Sequence, residues 1–142
     1  DNFIKFDADV VFEAAILQKL INQSPDTCLC IDRNINLAAE EVKVIVDKSG
    51  KVLAVGKKLD LKKAGGESIG IEKFGQKAAK FLFEELEKLL KEPQNYNEYY
   101  DDSYTTLAQK GISFHAVDIT GLKWVEIDTH QDFARAQRLF SK

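Results

Sequence analysis

Two hydrophobic periodicities alternate along this chain, and their interleaving limits its fold more than any other feature. Residues 3 to 9 place Ile4, Phe6 and Ala8 on one face and Lys5, Asp7 and Asp9 on the other, the two-residue period of a half-buried strand. Phe12, Ile16 and Leu20, flanked by Leu17 and Ile21, then fall at helical spacing as far as the break at Ser24-Pro25-Asp26. Residues 27 to 33 read as a short apolar strand followed by a polar loop through Ala39. Segments 42–47 and 51–56 read as a hairpin turning at Asp47-Lys48-Ser49-Gly50. After a Lys- and Gly-rich loop, Glu67 to Phe74 is a strand, and Ala79, Leu82, Leu86, Leu89 and Leu90 form a helical stripe over 76–91 with Pro93 beyond it. A polar, aromatic stretch over 94–104 leads into a short helix ending at Gly111. Strands at 112–118 and 124–127 follow, and the final helix puts Phe133, Ala136, Leu139 and Phe140 on one side. Strands mixed with helices in this order predict an α/β sheet layered with helices.

The length of 142 residues suits one domain with one sizeable core. Twenty Lys and Arg against 23 Asp and Glu leave a net charge of −3 with no long block of either sign, which gives a nucleic-acid backbone no electrostatic footprint. No apolar run approaches the roughly 18 to 20 residues that cross a bilayer, and no secretory leader pattern precedes the first strand, so the chain reads as cytoplasmic with no membrane partner. It contains no methionine and opens Asp1-Asn2 directly into a strand, the pattern of the middle of a longer protein. Cys28 and Cys30, two apart in an extended stretch, lie too far apart for good disulfide geometry and read as reduced core thiols. Two His and two Cys in the whole chain give no zinc pattern.

Four places could carry chemistry. Asp7-Ala8-Asp9 ends the first strand before a helix, and carboxylates two apart share a face, where a cation such as magnesium relieves their repulsion. The competing reading is that Asp9 caps the helix. In Trp124-Val125-Glu126-Ile127-Asp128-Thr129, alternation sends Trp124, Glu126 and Asp128 to one side, while Thr129 with Asp132 also matches a capping box that Asp128 would favour. Gly65-Gly66-Glu67-Ser68-Ile69-Gly70-Ile71 would let a substrate approach the backbone, with Glu67 offered to hydroxyl or ammonium groups, or it is a turn into a strand. Neither phosphate-loop pattern is present. Tyr96, Tyr99 and Tyr100 beside Asp101 and Asp102 suit a quaternary ammonium, or merely anchor a loop.

In order, Asp7-Ala8-Asp9-Val10, Glu41-Val42-Lys43-Val44, the hairpin from Gly50-Lys51-Val52 to Val55-Gly56-Lys57, Gly66-Glu67-Ser68-Ile69-Gly70-Ile71 and Trp124-Val125-Glu126-Ile127-Asp128-Thr129 resemble the second part of a sugar-phosphate-type nucleotidyltransferase. Within that superfamily the chain is most similar to the bacterial choline-phosphate and 2-aminoethylphosphonate cytidylyltransferase branch, over nearly its whole length. The resemblance implies a mixed, mainly parallel sheet with helices on both faces, the C-terminal portion of a GT-A-like fold. Residues 1–142 would then be a single domain lacking the N-terminal glycine-rich nucleotide loop. It also implies that Asp9 and Asp128 are the catalytic, metal-binding aspartates, with Mg2+ between them and the α-phosphate of a nucleoside triphosphate, most simply CTP. An acceptor phosphate or phosphonate oxygen attacks the α-phosphorus and pyrophosphate leaves.

Lys43 is the implied contact for the acceptor's phosphoryl group, and Glu67, Tyr100, Trp124 and Glu126 surround its amine or trimethylammonium end. A sugar-1-phosphate acceptor stays open because Glu67 can also meet a hexose hydroxyl. A non-catalytic binding or assembly fragment is the alternative of a different class. Three expectations follow from this reading. Asp9 and Asp128 converge to within roughly 8 Å, the reach of one hydrated magnesium ion and its bridging phosphate. The isolated chain is inactive or nearly so. An unpaired edge or face of the sheet is covered by the missing half or by a second copy.

Overall fold

The computed structural model describes residues 1–33, 40–91 and 99–141. Its elements are β1 (Phe3–Phe6), β2 (Val10–Phe12), α1 (Ala14–Ile21), β3 (Cys28–Asp32), β4 (Lys43–Val46), β5 (Val52–Gly56), β6 (Gly66–Phe74), α2 (Gln76–Lys91), α3 (Asp102–Gln109), β7 (His115–Asp118), β8 (Trp124–Glu126) and α4 (His130–Phe140). A 3-10 turn over Leu61–Lys63 interrupts the loop before β6. The predicted polar loop up to Ala39, Pro93 and Tyr96 lie outside the described residues.

One sheet runs in the order β5-β4-β6-β3-β7, with β1 added to β6, and β2 pairs with β8 in a separate ribbon. The mixed α/β sheet expected from the sequence is present, but its order is not mainly parallel. Among the described residues only β3 and β7 pair in parallel; β1–β6, β3–β6, β4–β5 and β4–β6 are antiparallel. The reason is β6, whose nine residues serve as the common partner of β1, β3 and β4, all running against it.

Strand alternation divides the interior between the two faces of the sheet. Leu29 and Ile31 of β3 join Val44, Phe74 and Phe114 under Ala78, Ala79 and Leu82 of α2 and Tyr104 and Leu107 of α3. Cys28 and Cys30 point the other way, with Ile69, Ile71 and Val117, beneath Ile16 and Leu20 of α1. Helices therefore cover both faces, as the sequence led one to expect. Both cysteines are buried free thiols, and burial pushes the Cys30 thiol up to about 12. Among the described residues, no helix is long and apolar enough to cross a membrane.

The first strand is shorter than its alternation suggests. β1 stops at Phe6, Asp7 to Asp9 turn, and Val10 starts a second strand that belongs to the other sheet. Asp9 thus precedes β2 instead of ending a strand before a helix, and α1 begins only at Ala14. At the far end, Thr129 caps α4: its hydroxyl accepts from the Asp132 N–H at 3.2 Å, and the Asp132 carboxylate accepts from the Thr129 N–H at 3.0 Å. Thr129→Ala removes the first of these bonds and should cost about 1 kcal/mol, read as a shift in urea midpoint with an unchanged slope.

Candidate active site

The β2–β8 ribbon places the acidic residues. Val10 stands opposite Glu126, and one step beyond the ladder the Ile127 N–H donates to the Asp9 carbonyl at 2.9 Å. Because the strands are antiparallel, the residue before β2 and those after β8 share one end of the ribbon. One carboxyl oxygen from each of Asp9, Glu126 and Asp128 lies within 4.8 Å of the other two there, on exposed side chains. Three carboxylates at that spacing repel each other in water unless a cation lies among them. An all-oxygen set of this kind suits a hard divalent ion such as Mg2+, which takes one or two carboxylates and fills its remaining positions with water or phosphate. Partial desolvation at the cleft mouth and the neighbouring Asp128, Asp9 and Asp7 carboxylates hold Glu126 above its usual range.

The triad opens onto a cleft of about 360 Å³ to which Glu126 and Asp128 contribute, along with Asp7, Glu41, Glu67, Tyr100, Asp101 and the basic Lys57. A second lobe shares Glu41, Glu67, Glu126 and Asp128 and adds Trp124, Asp132 and Arg135. Glu67, on β6, is only 6% exposed, and burial together with the Glu41, Glu126 and Asp32 carboxylates raises its carboxyl to about 8. It therefore stays largely protonated at neutral pH and can donate to an oxygen as well as accept. Two buried polar atoms of the lining, Ser68 Oγ and Glu41 Oε2, have no hydrogen-bond partner among the described residues. Unsatisfied groups of this kind cost free energy unless water or a ligand meets them.

The other residues singled out from the sequence are placed unevenly. Lys43 is 1% exposed and donates to the Glu41 carbonyl at 3.0 Å and to the Lys57 carbonyl, so its ammonium is held by backbone oxygens inside the fold. Trp124 is half-buried against the Ile16–Val117 side of the core, and its indole N–H donates to Asp32 Oδ2 at 2.8 Å. Tyr100 does line the cleft, yet the Lys5 ammonium already stands 3.9 Å from its ring centroid. Tyr99 carries the Lys57 ammonium over its ring at 4.3 Å.

Sequence reasoning missed Lys5, Glu41, Lys57 and Glu72, and read Asp7 as a partner of Asp9. Asp7 instead forms an ion pair with Lys5 at 2.8 Å and accepts from the Tyr100 hydroxyl at 2.7 Å. The alternation that puts Lys5 and Asp7 on one face is the signal that could have paired them.

No family model and no curated protein matches the sequence. Solved structures do match. The inositol-1-phosphate CTP transferase of T. maritima superposes with a TM-score of 0.65 at 15% identity, over 93% of this chain and 51% of its own. A nucleoside-diphosphate-sugar pyrophosphorylase from Vibrio cholerae gives 0.68 at 17% identity, over 96% and 56%. A protein described as a glucose-1-phosphate thymidylyltransferase from Bacillus anthracis, solved with sucrose, gives 0.68 at 17% identity, over 98% and 54%. The chain has the fold of these nucleotidyltransferases. It spans about half the length of each.

Proposed function

We propose that the chain is the metal- and acceptor-binding part of a nucleotidyltransferase that moves a nucleotidyl group, CMP in the simplest case, from a nucleoside triphosphate to a small phosphorylated acceptor. The observation that carries this reading is the meeting of Asp9, Glu126 and Asp128 at the mouth of an acidic cleft, on a fold shared with proteins named for that chemistry. Asp9 and Asp128, with Glu126 beside them, are the residues that would hold Mg2+. A bound divalent ion supplies charge neutralisation for phosphoryl oxygens. The chain's own part is to orient the acceptor: Lys57 and Arg135 offer positive charge to its phosphoryl group, and Glu67 meets its polar end. An acceptor oxygen then forms a bond to the α-phosphorus while the bond to the bridging oxygen breaks, and pyrophosphate carries away the electron pair. The nucleotide-cradling segment is a separate part of the machine in this reading, so the isolated chain turns over little or nothing.

The Glu41 and Asp101 carboxyls of the lining, with Lys57 the basic residue beside them, support an acceptor that carries an amine or trimethylammonium group, such as phosphocholine or 2-aminoethylphosphonate. A sugar-1-phosphate is favoured by a different observation: the indole of Trp124 and the ring of Tyr100 are already engaged by Asp32 and Lys5. The deciding assay measures pyrophosphate release by the full-length protein with CTP and UTP against both acceptor classes. Release with cationic acceptors that exceeds release with glucose-1-phosphate, and that falls about 10-fold in Trp124→Leu while the sugar rate holds, is the expected result for a ring worth about 0.5 to 2 kcal/mol to a cation. Faster release with the sugar rejects the cationic acceptor, and no release with either class rejects the enzyme.

A further inference from the structure

Beneath the acidic triad lies a second group of charges that the proposed chemistry does not use. The Lys5 ammonium, from β1, is 2.8 Å from Asp7 Oδ1 and 3.1 Å from Glu72 Oε2, donates to the Tyr100 hydroxyl and packs on the Tyr100 ring. The Tyr100 hydroxyl in turn faces both Asp7 oxygens, at 2.9 and 2.7 Å. Asp7 has a niche built for it. Gly70, at φ +71°, presents no side chain, and a Cβ there would collide with the Asp7 carboxylate. The Asp7 N–H also donates to the Gly70 carbonyl at 2.8 Å. Two residues further on, the Asp9 carbonyl is held by the Ile127 N–H. The span from Asp7 to Asp9 is therefore pinned at both ends, once to the central sheet and once to the β2–β8 ribbon.

We propose that Lys5 and Tyr100 are positioning residues: by clamping the Asp7 carboxylate in the Gly70 niche they fix the turn that delivers Asp9 to Glu126 and Asp128. They set the affinity of that triad for a divalent cation without touching it. Both oxygens of Asp7 are already occupied by Lys5 and Tyr100, which makes Asp7 an anchor and not a fourth ligand. The Lys5 charge also offsets that of Asp7, so the clamp brings no further net negative charge to the triad. Outer partners of this kind orient the groups that ligate, and losing one typically weakens binding by about 10- to 100-fold.

This inference rests on the reading of Asp9, Glu126 and Asp128 as a cation site, and the test separates the two. Trp124, the single tryptophan, lines the lobe that holds Glu126 and Asp128, so quenching of its fluorescence by Mn2+ reports occupancy without any need for turnover. The parent chain, Tyr100→Phe, Lys5→Met and Asp9→Asn are titrated with Mn2+, and the melting temperature of each is taken without metal. Mn2+ binding by the parent, lost in Asp9→Asn and weakened about 10-fold in Tyr100→Phe at a nearly unchanged melting temperature, is the expected pattern. Tyr100→Phe keeps the ring on which Lys5 rests, so it decides the matter even where Lys5→Met folds poorly. Parent-like Mn2+ affinity in Tyr100→Phe, with or without a fall in melting temperature, overturns the clamp while leaving the cation site standing. Failure of the parent itself to bind Mn2+ overturns both.

Discussion

The chain should be most stable in mildly acidic solution and should lose stability steadily as the pH rises towards 8, with Glu72→Gln removing at most about half of that slope. Glu72 lies on β6 with no exposed surface, and the Lys5 ammonium near Oε2 is the cation it meets there. Burial outweighs the attraction of the Lys5 ammonium 3.1 Å away and pushes the carboxyl from its ordinary 4.5 up to about 8. Between those two values the unfolded chain has released the proton and the folded chain still holds it. The folded state binds more protons, so the free energy of unfolding falls with rising pH, at about 1.4 kcal/mol per unit for one group. Across the window this amounts to roughly 3 to 5 kcal/mol, comparable to a large part of a domain's stability.

Glu67, raised to about 8, and Asp101, raised to about 6, act in the same direction. Asp47, Asp118 and Asp132 act in the opposite sense: their carboxyls are held below the usual range, so what they contribute is lost only in stronger acid. Urea midpoints for the parent and for Glu72→Gln, taken from pH 4.5 to 8.5, test the assignment. The variant should overtake the parent as the pH rises, and two parallel curves would show that Glu72 does not titrate in this window.

That an acid could be buried at position 72 is hidden in the sequence for a definite reason. In Ile69-Gly70-Ile71-Glu72 the alternation reads as a strand with one wet face, yet β6 sits between other strands and beneath helices on both sides. Alternation tells which residues share a face, not whether that face is covered. Lys43 shows a related limit: the resemblance implied a contact with an acceptor phosphoryl group, and pairing with Gly56 and Glu67 puts the residue inside the sheet at 1% exposure. The opposite error occurred at Asp7. Apolar and polar residues alternate without a break from Phe3 to Asp9, so nothing local announces the end of β1 at Phe6. Beyond Phe6 the Asp7 carboxylate lies where a Gly70 side chain would stand, a contact made with another strand. Signals carried within a few residues were read correctly: the Thr129–Asp132 capping box, the hairpin turn at Asp47 to Gly50, and the stripe of α2. The meeting of Asp9 with Asp128 needed the family resemblance as well, because the pairing of β2 with β8 leaves no local mark on either segment.

Asp128→Asn should separate function from stability in opposite directions, and it is the substitution with the largest expected effect on the proposed chemistry. Asp9, Glu126 and Asp128 each bring one carboxyl oxygen within 4.8 Å of the other two, on exposed side chains. Replacing one by its neutral isostere relieves repulsion at no cost in packing, so the metal-free variant should melt slightly above the parent. The same change removes an anionic ligand, and cation affinity should fall by well over the roughly 10- to 100-fold that losing an outer partner costs. With Mg2+ added the order reverses. A cation present at 100 times its Kd stabilises the folded chain by about 2.7 kcal/mol, so the melting temperature of the parent should climb with Mg2+ while that of Asp128→Asn stays level. In the full-length protein, pyrophosphate release should fall at least about 100-fold, since the loss of a ligand removes charge neutralisation where phosphoryl charge gathers. A triad that only caps the ribbon and α4 gives a different result: Mg2+ moves neither melting curve, and Asp128→Asn keeps the activity of the parent.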